Sequence, residues 1–291
     1  LIALIILLIL IMFFARLIKG NRVSNYKTIF PTLTTFEKDI DTKIYNLFDE
    51  EKRLESKAGQ VEKLTTLREI SKLINKDSKI LDVGAGTGVY SIPLADEVAE
   101  VIAFEPASNN YKQLASKVSD KNLKNITAEN KSSLEMNNLE TNYFDLVLLF
   151  GPMYHLSEEK DRVETLKQAK RVLKDDGHIL ISYINHDMIP MTETKFDCNF
   201  FESNTYISDR QRLINRPFVF FTLSECIEMI EKENLNIIKK IGTSGFSEIL
   251  GDQINKMSDL SYQNYLNWHL AHCDKEEFLG ASNHYLFVCK K

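Results

Sequence analysis

Apolar and polar positions along most of this chain alternate between short buried runs and longer helical repeats. Ile80, Leu81 and Val83 form an apolar run of the kind found in a buried parallel strand. Further strands are expected at Val101–Phe104, Ile126–Ala128, Phe144–Phe150, His178–Tyr183, Leu235–Ile241 and Tyr285–Val288. Helical spacing falls between them, over Asn109–Val118, from Glu159 through Val163, Leu166 and Ala169 to Leu173, from Thr222 to Ile230, and over Tyr262–Ala271. Asp176-Gly177 reads as the turn into the fifth strand, Ser157, Glu158 and Glu159 as the cap of the helix before it, and Thr222-Leu-Ser-Glu225 as a capping box. Ahead of the first strand, Phe36, Ile40, Ile44, Phe48 and Leu54 predict one helix, and Val61, Leu64, Leu67, Ile70 and Leu73 a second. Such an alternation predicts an α/β protein: a doubly wound, seven-stranded, mainly parallel sheet with helices on both faces and an antiparallel last strand.

Between the first strand and the next helix, Gly84, Ala85, Gly86, Thr87 and Gly88 form a glycine-rich turn, with Asp82 at the strand end. Pro93 makes the helix from Val89 to Ala95 short or shifted. Strand, glycine turn and helix start together bring backbone N–H groups and bare main chain against a ligand. In a dinucleotide fingerprint the third glycine or alanine follows the second by three residues; here the spacing is two and position 89 is Val. The second strand ends in Glu105, an acid placed to accept hydrogen bonds from a ribose diol.

With Asp82, Gly84–Gly88 and Glu105 in this order, the chain resembles the class I S-adenosylmethionine-dependent methyltransferases. That resemblance implies S-adenosyl-L-methionine as cofactor. Gly84, Ala85, Gly86, Thr87 and Gly88 would lie against its carboxypropyl end, with Glu105 and Pro106 at the ribose. At the adenine position the family usually carries an acid; Asn130 stands here, followed by Lys131. Phe150 and Gly151, at the end of the fourth strand, would border the same cleft. The stretches YNLFDEEKRLESKAGQVEKLTTLREI, FDLVLLFGPMYHL, AKRVLKDDGH and NWHLAHCDKEEFLGASNHYLFVCKK resemble, in order, a bacterial branch of that family with a GPMYHL-type fourth-strand motif. The likeness runs over roughly residues 43–291.

After the fourth strand, Gly151-Pro152 forces a sharp exit, so Tyr154 and His155 are expected at the cleft. A base is needed only if the acceptor carries a proton at attack; His155 is then the leading candidate, with Tyr154 orienting the acceptor. Tyr45 and Arg53 are lesser candidates to reach the site. No acid stands in the turn after FDLVLLF and no NPPY-like tetrapeptide follows, which disfavours amide- or adenine-nitrogen methylation and favours a small-molecule acceptor. His269, His272 and Cys273 share one helix face and could be joined by His284 or Cys289, but no acid completes a metal set, so no metal is assigned; their placement near the acceptor, with Ser282, Asn283 and His284, is expected instead.

Composition narrows the alternatives. A net charge of −5 without a basic stripe argues against nucleic acid as a partner. Four cysteines without a CxxC pair suggest a reducing compartment. Residues 1–18 are a candidate membrane anchor or an artefact of a misplaced start, followed by a linker over 19–35. Arg16, Lys19, Arg22 and Lys27 after the apolar run would keep the main domain, 36–291, on the cytoplasmic side. Within it, 36–75 would form an N-terminal helical lid and 184–221 an insertion after strand five. The rival readings are a nicotinamide-dependent oxidoreductase, disfavoured by the glycine spacing, and a cofactor-binding or tethered regulatory protein without turnover. The oligomeric state is not legible.

Overall fold

The structure, a computed structural model, describes residues 50–215 and 217–291. The expectations for the apolar run 1–18, the linker 19–35, Tyr45 and the first lid helix up to residue 49 lie outside the described residues. Among the described residues, no helix is long and apolar enough to cross a membrane.

The described chain opens with α1 (Glu50–Glu55) and α2 (Lys57–Ser71). Ser56 caps α2 by accepting a hydrogen bond from the Gly59 amide at 3.0 Å. The buried face of α2 is Val61, Thr65, Thr66, Glu69 and Ile70, so the expected stripe through Leu64 and Leu67 is rotated. The physical reason is that α2 buries polar partners as well. Thr65 donates to the Val61 carbonyl and faces His269 Nε2 at 3.1 Å, while Glu69 pairs with Lys72 and Lys239.

Next come β1 (Lys79–Val83), a four-residue α3 (Ser91–Leu94) that runs on as a 3-10 turn, β2 (Glu100–Phe104), α4 (Ser108–Asp120) and β3 (Ile126–Glu129). They are followed by β4 (Phe144–Leu149), α5 (Pro152–His155), α6 (Glu159–Val172) and β5 (Leu173–Asn185). The insertion holds α7 (Ile189–Thr194) and a small ribbon of β6 (Tyr206–Ile207) and β7 (Arg212–Leu213), and closes with β8 (Phe220–Phe221). The chain then forms α8 (Leu223–Lys232), β9 (Asn236–Gly242), α9 (Gly251–Asn255), α10 (Asp259–Leu270), α11 (Glu276–Leu279) and β10 (His284–Lys290).

The main sheet runs in the order β3-β2-β1-β4-β5-β10-β9, and β8 adds a two-residue parallel strand beside the end of β5. β10 is antiparallel to both neighbours and the rest of the path from β3 to β5 is parallel, as the sequence predicts. Alternate residues of the strands feed the two faces. Leu81, Val83, Val147, Leu149, Ile179 and Ile181 pack on one side with Leu166 and Ala169 of α6; Ile80, Val101, Leu146, Leu148 and Leu180 pack on the other with Ile70 of α2. Each fully buried aliphatic side chain contributes about 1.5–3 kcal/mol.

Two local expectations change. Strand β5 starts at Leu173, and the register steps from Phe144↔Leu173 to Leu146↔His178, so Asp176-Gly177 is a bulge within the strand rather than a turn before it. Helix α6 is preceded by Glu158 with no side-chain cap; the carbonyls of Leu156 and Ser157 instead accept from Arg162, whose guanidinium folds back on that turn. The capping box at Thr222 and Glu225 is present as read.

Candidate active site

Strands β1 and β4 are neighbours at the point where the strand order reverses, so the segments leaving their carboxyl ends meet there. The amides of Gly84 and Ala85 both donate to the Phe104 carbonyl, at 2.8 and 3.0 Å, which turns the loop sharply off β1. Gly84, Gly86 and Gly88 all have positive φ, at 86°, 57° and 90°. Their side-chain positions differ in meaning. A Cβ on Gly84 would sit 2.9 Å from the Phe150 carbonyl oxygen, and one on Gly88 would sit 2.6 Å from Leu114 Cδ1. A Cβ on Gly86 would meet nothing within 4 Å. Two glycines therefore allow packing, and Gly86 faces open space.

Glu105 ties this loop to the next. Its Oε2 accepts from the Gly86 amide and its Oε1 from the Ala107 amide, each at 2.8 Å. The Asn110 side chain also donates to this carboxylate, which leaves one acceptor site for a ligand hydroxyl. Burial raises the Glu105 pKa, against the opposing pull of the two backbone bonds and the Asn110 bond. Asp82 lies beneath the loop, 1% exposed, accepting from the Ser91 hydroxyl through Oδ2. Its Oδ1 is buried with no hydrogen-bond partner among the described residues. Burial drives its pKa up to about 7; the Ser91 bond opposes this and the Glu105 charge adds to it.

These observations fit a ligand with positive charge at one end and vicinal hydroxyls at the other. The orphaned Asp82 oxygen suits a cation or its hydrogen-bonded proxy, the open side of Gly86 admits a ligand against bare backbone, and Glu105 retains an acceptor. S-adenosylmethionine has this distribution of groups.

Asn130 braces the neighbouring loop. Its Nδ2 donates to the carbonyls of Glu105 and Pro106, at 2.7 and 3.1 Å, and its Oδ1 accepts from Ser108 Oγ at 3.3 Å. It is thus a strut under the Glu105 loop. Lys131 pairs with Glu129 at 2.5 Å and lies over the Phe104 ring. Lys117 Nζ donates to the Thr87 carbonyl at 3.3 Å. Phe150 meets the Tyr90 ring edge-on at 5.0 Å.

Across the cleft, Gly151 adopts φ 144° and Pro152 starts α5. The Tyr154 and His155 rings pack 4.5 Å apart, and Phe218 of the insertion lies 5.4 Å from His155. A Cβ on Gly151 would be 3.4 Å from His155 Cδ2 and 3.9 Å from Gly84 Cα, so the His155 ring stands close to the glycine loop. The His155 residue is exposed to solvent, although protein crowds close around its ring. This crowding, and then the like charge of His284, lower its pKa. A histidine held neutral in this way is a weak base and a good aromatic wall.

The sequence reading missed Glu62 and Glu248. Arg53 donates to both, through Nη2 at 2.9 Å and Nη1 at 3.1 Å. His284 Nδ1 lies 3.3 Å from Glu62 Oε2, and its ring is 6.2 Å from that of Tyr154. Nothing local in sequence marks Glu62, which looks like any polar position of an amphipathic helix. The His269, His272 and Cys273 positions do not form a common site. His269 faces Thr65, His272 Nδ1 lies 2.7 Å from the Trp268 carbonyl, and Cys273 is buried in the core.

Sheet order, glycine loop and paired strand-end groups together define the class I S-adenosylmethionine-dependent methyltransferase fold. The chain belongs to the methyltransferase domain family, whose profile matches residues 74–257. It is similar, at 29% identity over 136 residues, to the glycine/sarcosine/dimethylglycine N-methyltransferase of Actinopolyspora halophila, a match covering 44% of this chain and 22% of that protein. It is similar, at 27% identity over 112 residues, to the glycine/sarcosine N-methyltransferase of Parasynechococcus marenigrum, covering 38% of this chain and 39% of that one. Both matches span less than half the length of these curated relatives. Among solved structures, phosphoethanolamine N-methyltransferase 1 of Haemonchus contortus, crystallised with phosphoethanolamine and S-adenosylhomocysteine, superposes with a TM-score of 0.57 at 14% identity, over 88% of this chain and 48% of that one.

Proposed function

We propose that this protein transfers a methyl group from S-adenosylmethionine to the nitrogen of a small amine. The observation that carries the reading is the proximity of two walls. The glycine loop with Glu105 and Asp82 forms one side of the cleft, and the Tyr154–His155 pair, reached through Gly151, forms the other. Two relatives named for methylation of glycine and sarcosine support an amine as acceptor.

The cofactor, when bound, supplies a methyl already activated by its sulfonium. What remains for the chain is to hold, orient and dry the reactants, and alignment of this kind lowers a barrier by several kcal/mol. In this reading Gly84, Ala85, Gly86, Thr87 and Gly88 present backbone to the cofactor, and Asp82 faces its charged end. Glu105 with Pro106 takes the ribose, and the segment Asn130–Lys131 with Phe150 and Gly151 closes the pocket edges. Tyr154 and His155 shape the acceptor side. The test is incubation of the protein with methyl-labelled S-adenosylmethionine and glycine, sarcosine and ethanolamine, reading S-adenosylhomocysteine release and labelled product together. Cofactor binding without turnover on any amine would leave the protein as a binding module instead.

A further inference from the structure

The cluster of Glu62, Glu248, Arg53 and His284 is the most charged feature of the cleft that cofactor binding does not use. It converges from four places. Arg53 comes from α1, Glu62 from α2, Glu248 from the segment after β9, and His284 is the first residue of β10. Because β10 runs antiparallel to β5, its start lies at the sheet edge where β1, β4 and β5 end. That topology places His284 beside Tyr154 and close enough to His155 to influence its ionisation.

The backbone of His284 is unusually well fixed. Its carbonyl accepts from Ser282 Oγ at 2.8 Å, from the Thr243 amide at 3.1 Å and from Thr243 Oγ1 at 3.2 Å. Ser282 is in turn bonded to Ser244, and Asn185 Nδ2 donates to the Ser282 carbonyl at 2.8 Å. Thr243, Ser244, Ser282 and Asn185 are all buried. A satisfied polar network of this kind in a core edge rigidifies what it holds.

The side chains keep partial exposure, 12% for Glu62, 19% for His284, 23% for Arg53 and 27% for Glu248, although the His284 Nδ1 atom itself is buried. His284 Nδ1 has no aligned hydrogen-bond partner among the described residues, although the Glu62 carboxylate stands 3.3 Å away. With His284 neutral, the four groups carry two negative charges and one positive, a balance that favours one incoming cation. Glu62, Glu248 and His284 also bring ligand atoms within 4.8 Å of one another, a spacing a metal ion would accept. Arg53 already donates to both carboxylates, however, and its guanidinium would oppose a divalent ion at that point.

We propose that the Glu62–His284 pair docks the amino group of the acceptor and removes its proton before methyl transfer. The pair deepens the reading of the protein as an amine N-methyltransferase and rests on it. The bound ammonium loses one proton to a neutral His284 nitrogen, leaving a lone pair on the amine, and Glu62 stabilises the imidazolium that forms. The proton then leaves to solvent through the exposed edge of the ring. Arg53 acts as a positioning residue that holds Glu62 and Glu248 in place. Burial alone would lower the His284 pKa, but the Glu62 charge outweighs it and raises the net value. The Glu62 carboxyl, raised by burial but lowered further by Arg53 and His284, stays ionised. The groups facing His284 are thus Glu62, Arg53, Glu248, Tyr154 and His155.

The deciding experiment titrates the full chain, loaded with S-adenosylhomocysteine, with glycine, sarcosine and ethanolamine by calorimetry in buffers of differing ionisation enthalpy. Wild-type protein should release about one proton per amine bound at a pH below the His284 pKa and about none above it. In His284→Asn that pH-dependent release should vanish. In Glu62→Gln, a near-isosteric change, amine affinity should fall roughly tenfold or more. S-adenosylhomocysteine affinity within about twofold of wild type confirms a folded domain in both variants. Amine binding without the linked release, or variants that behave as wild type, would each overturn the proposal. Methyl transfer to the same amines is read in parallel. Turnover with unaltered variants refutes the pair but spares the amine reading; linked binding without turnover does the reverse; neither binding nor turnover refutes both.

Discussion

Glu105 and Gly86 are joined across the ends of two adjacent strands, the carboxylate of one accepting from the amide of the other at 2.8 Å. This single bond fixes the tip of the glycine loop relative to β2. It also explains why the loop can be open on one side without collapsing: Gly86 has positive φ and no neighbour at its side-chain position, yet its amide is anchored. The acid therefore holds the loop, and in the proposed reading it also faces the ligand with its remaining lone pair.

Gly86→Ala should separate loop stability from cofactor affinity. An alanine in the left-handed region costs roughly 1–2 kcal/mol, and its methyl enters the space on the open side of the loop. Thermal stability should fall modestly, while S-adenosylhomocysteine affinity falls about tenfold or more. Calorimetric titration of the folded variant checks this, and unchanged affinity would remove the loop from the cofactor site.

Glu105→Ala should weaken cofactor binding more than Asn130→Ala. Hydrogen bonds to a charged acceptor contribute about 1.5–3 kcal/mol each, and Glu105 has one acceptor position left for a ribose hydroxyl besides its bonds from Gly86, Ala107 and Asn110. Asn130 acts from beneath, through neutral bonds to the carbonyls of Glu105 and Pro106, about 0.5–1.5 kcal/mol apiece. Its loss should loosen the loop and cost affinity only indirectly. Titrating both variants with S-adenosylhomocysteine decides the order, and a larger loss at Asn130 would reverse the assignment.

The parts of this protein legible from sequence are those whose cause is local. The run Ile80–Val83 followed by glycines, the strand expected over Phe144–Phe150 and the Thr222–Glu225 capping box each carry their determinants within a few residues, and each is present, the strand ending at Leu149. What was not legible depends on residues brought together by topology. Arg53 and Glu248 bond across 195 positions of sequence, and no periodicity marks either as a pair. Asn130 reads from sequence as a ligand contact through its amide oxygen; that its Nδ2 also braces two carbonyls depends on loop directions that only the fold defines. The bulge at Asp176-Gly177 likewise follows from the register of β5 on β4, which a turn signal in one strand does not reveal.

Glu69→Ala should lower stability by about 1–3 kcal/mol, with little effect on cofactor affinity. Its carboxylate is buried and paired with Lys72 at 2.6 Å, Lys239 at 3.0 Å and Arg68 at 3.2 Å. Burial would raise its pKa, but the bonds from Lys72 and Lys239 lower it on balance. A depressed folded-state pKa gives stability that is present above the unfolded value and lost as pH falls through the folded one. Denaturant melts of wild type and variant should therefore converge as pH drops through the acid range. A gap that persists unchanged into acid would show that packing, not charge, holds the site.

Asp82→Asn should act in the opposite pH sense. Burial carries the Asp82 pKa from 3.8 to about 7, so the folded protein prefers the protonated acid. A raised folded-state pKa gives stability that is complete below the unfolded value and lost as pH rises through the folded one, here between about 4 and 7. At about 1.36 kcal/mol per unit, the effect is on the order of 4 kcal/mol for a group this deeply buried. Glu105 shifts in the same direction, so the wild-type slope is not due to Asp82 alone. The informative quantity is the difference between wild type and Asp82→Asn, which should turn in favour of the variant as pH rises from 4 to 8. Cofactor binding should show the mirror image. The ionised Asp82 oxygen, orphaned within the fold, gains a cationic partner when S-adenosylmethionine binds, so wild-type affinity should rise with pH through about 7 more steeply than that of the variant, which keeps only the Glu105 contribution. Stability and affinity curves measured on the same two proteins check both halves. Parallel pH slopes in wild type and variant would mean that Asp82 neither carries the titration nor faces the charged end of the cofactor.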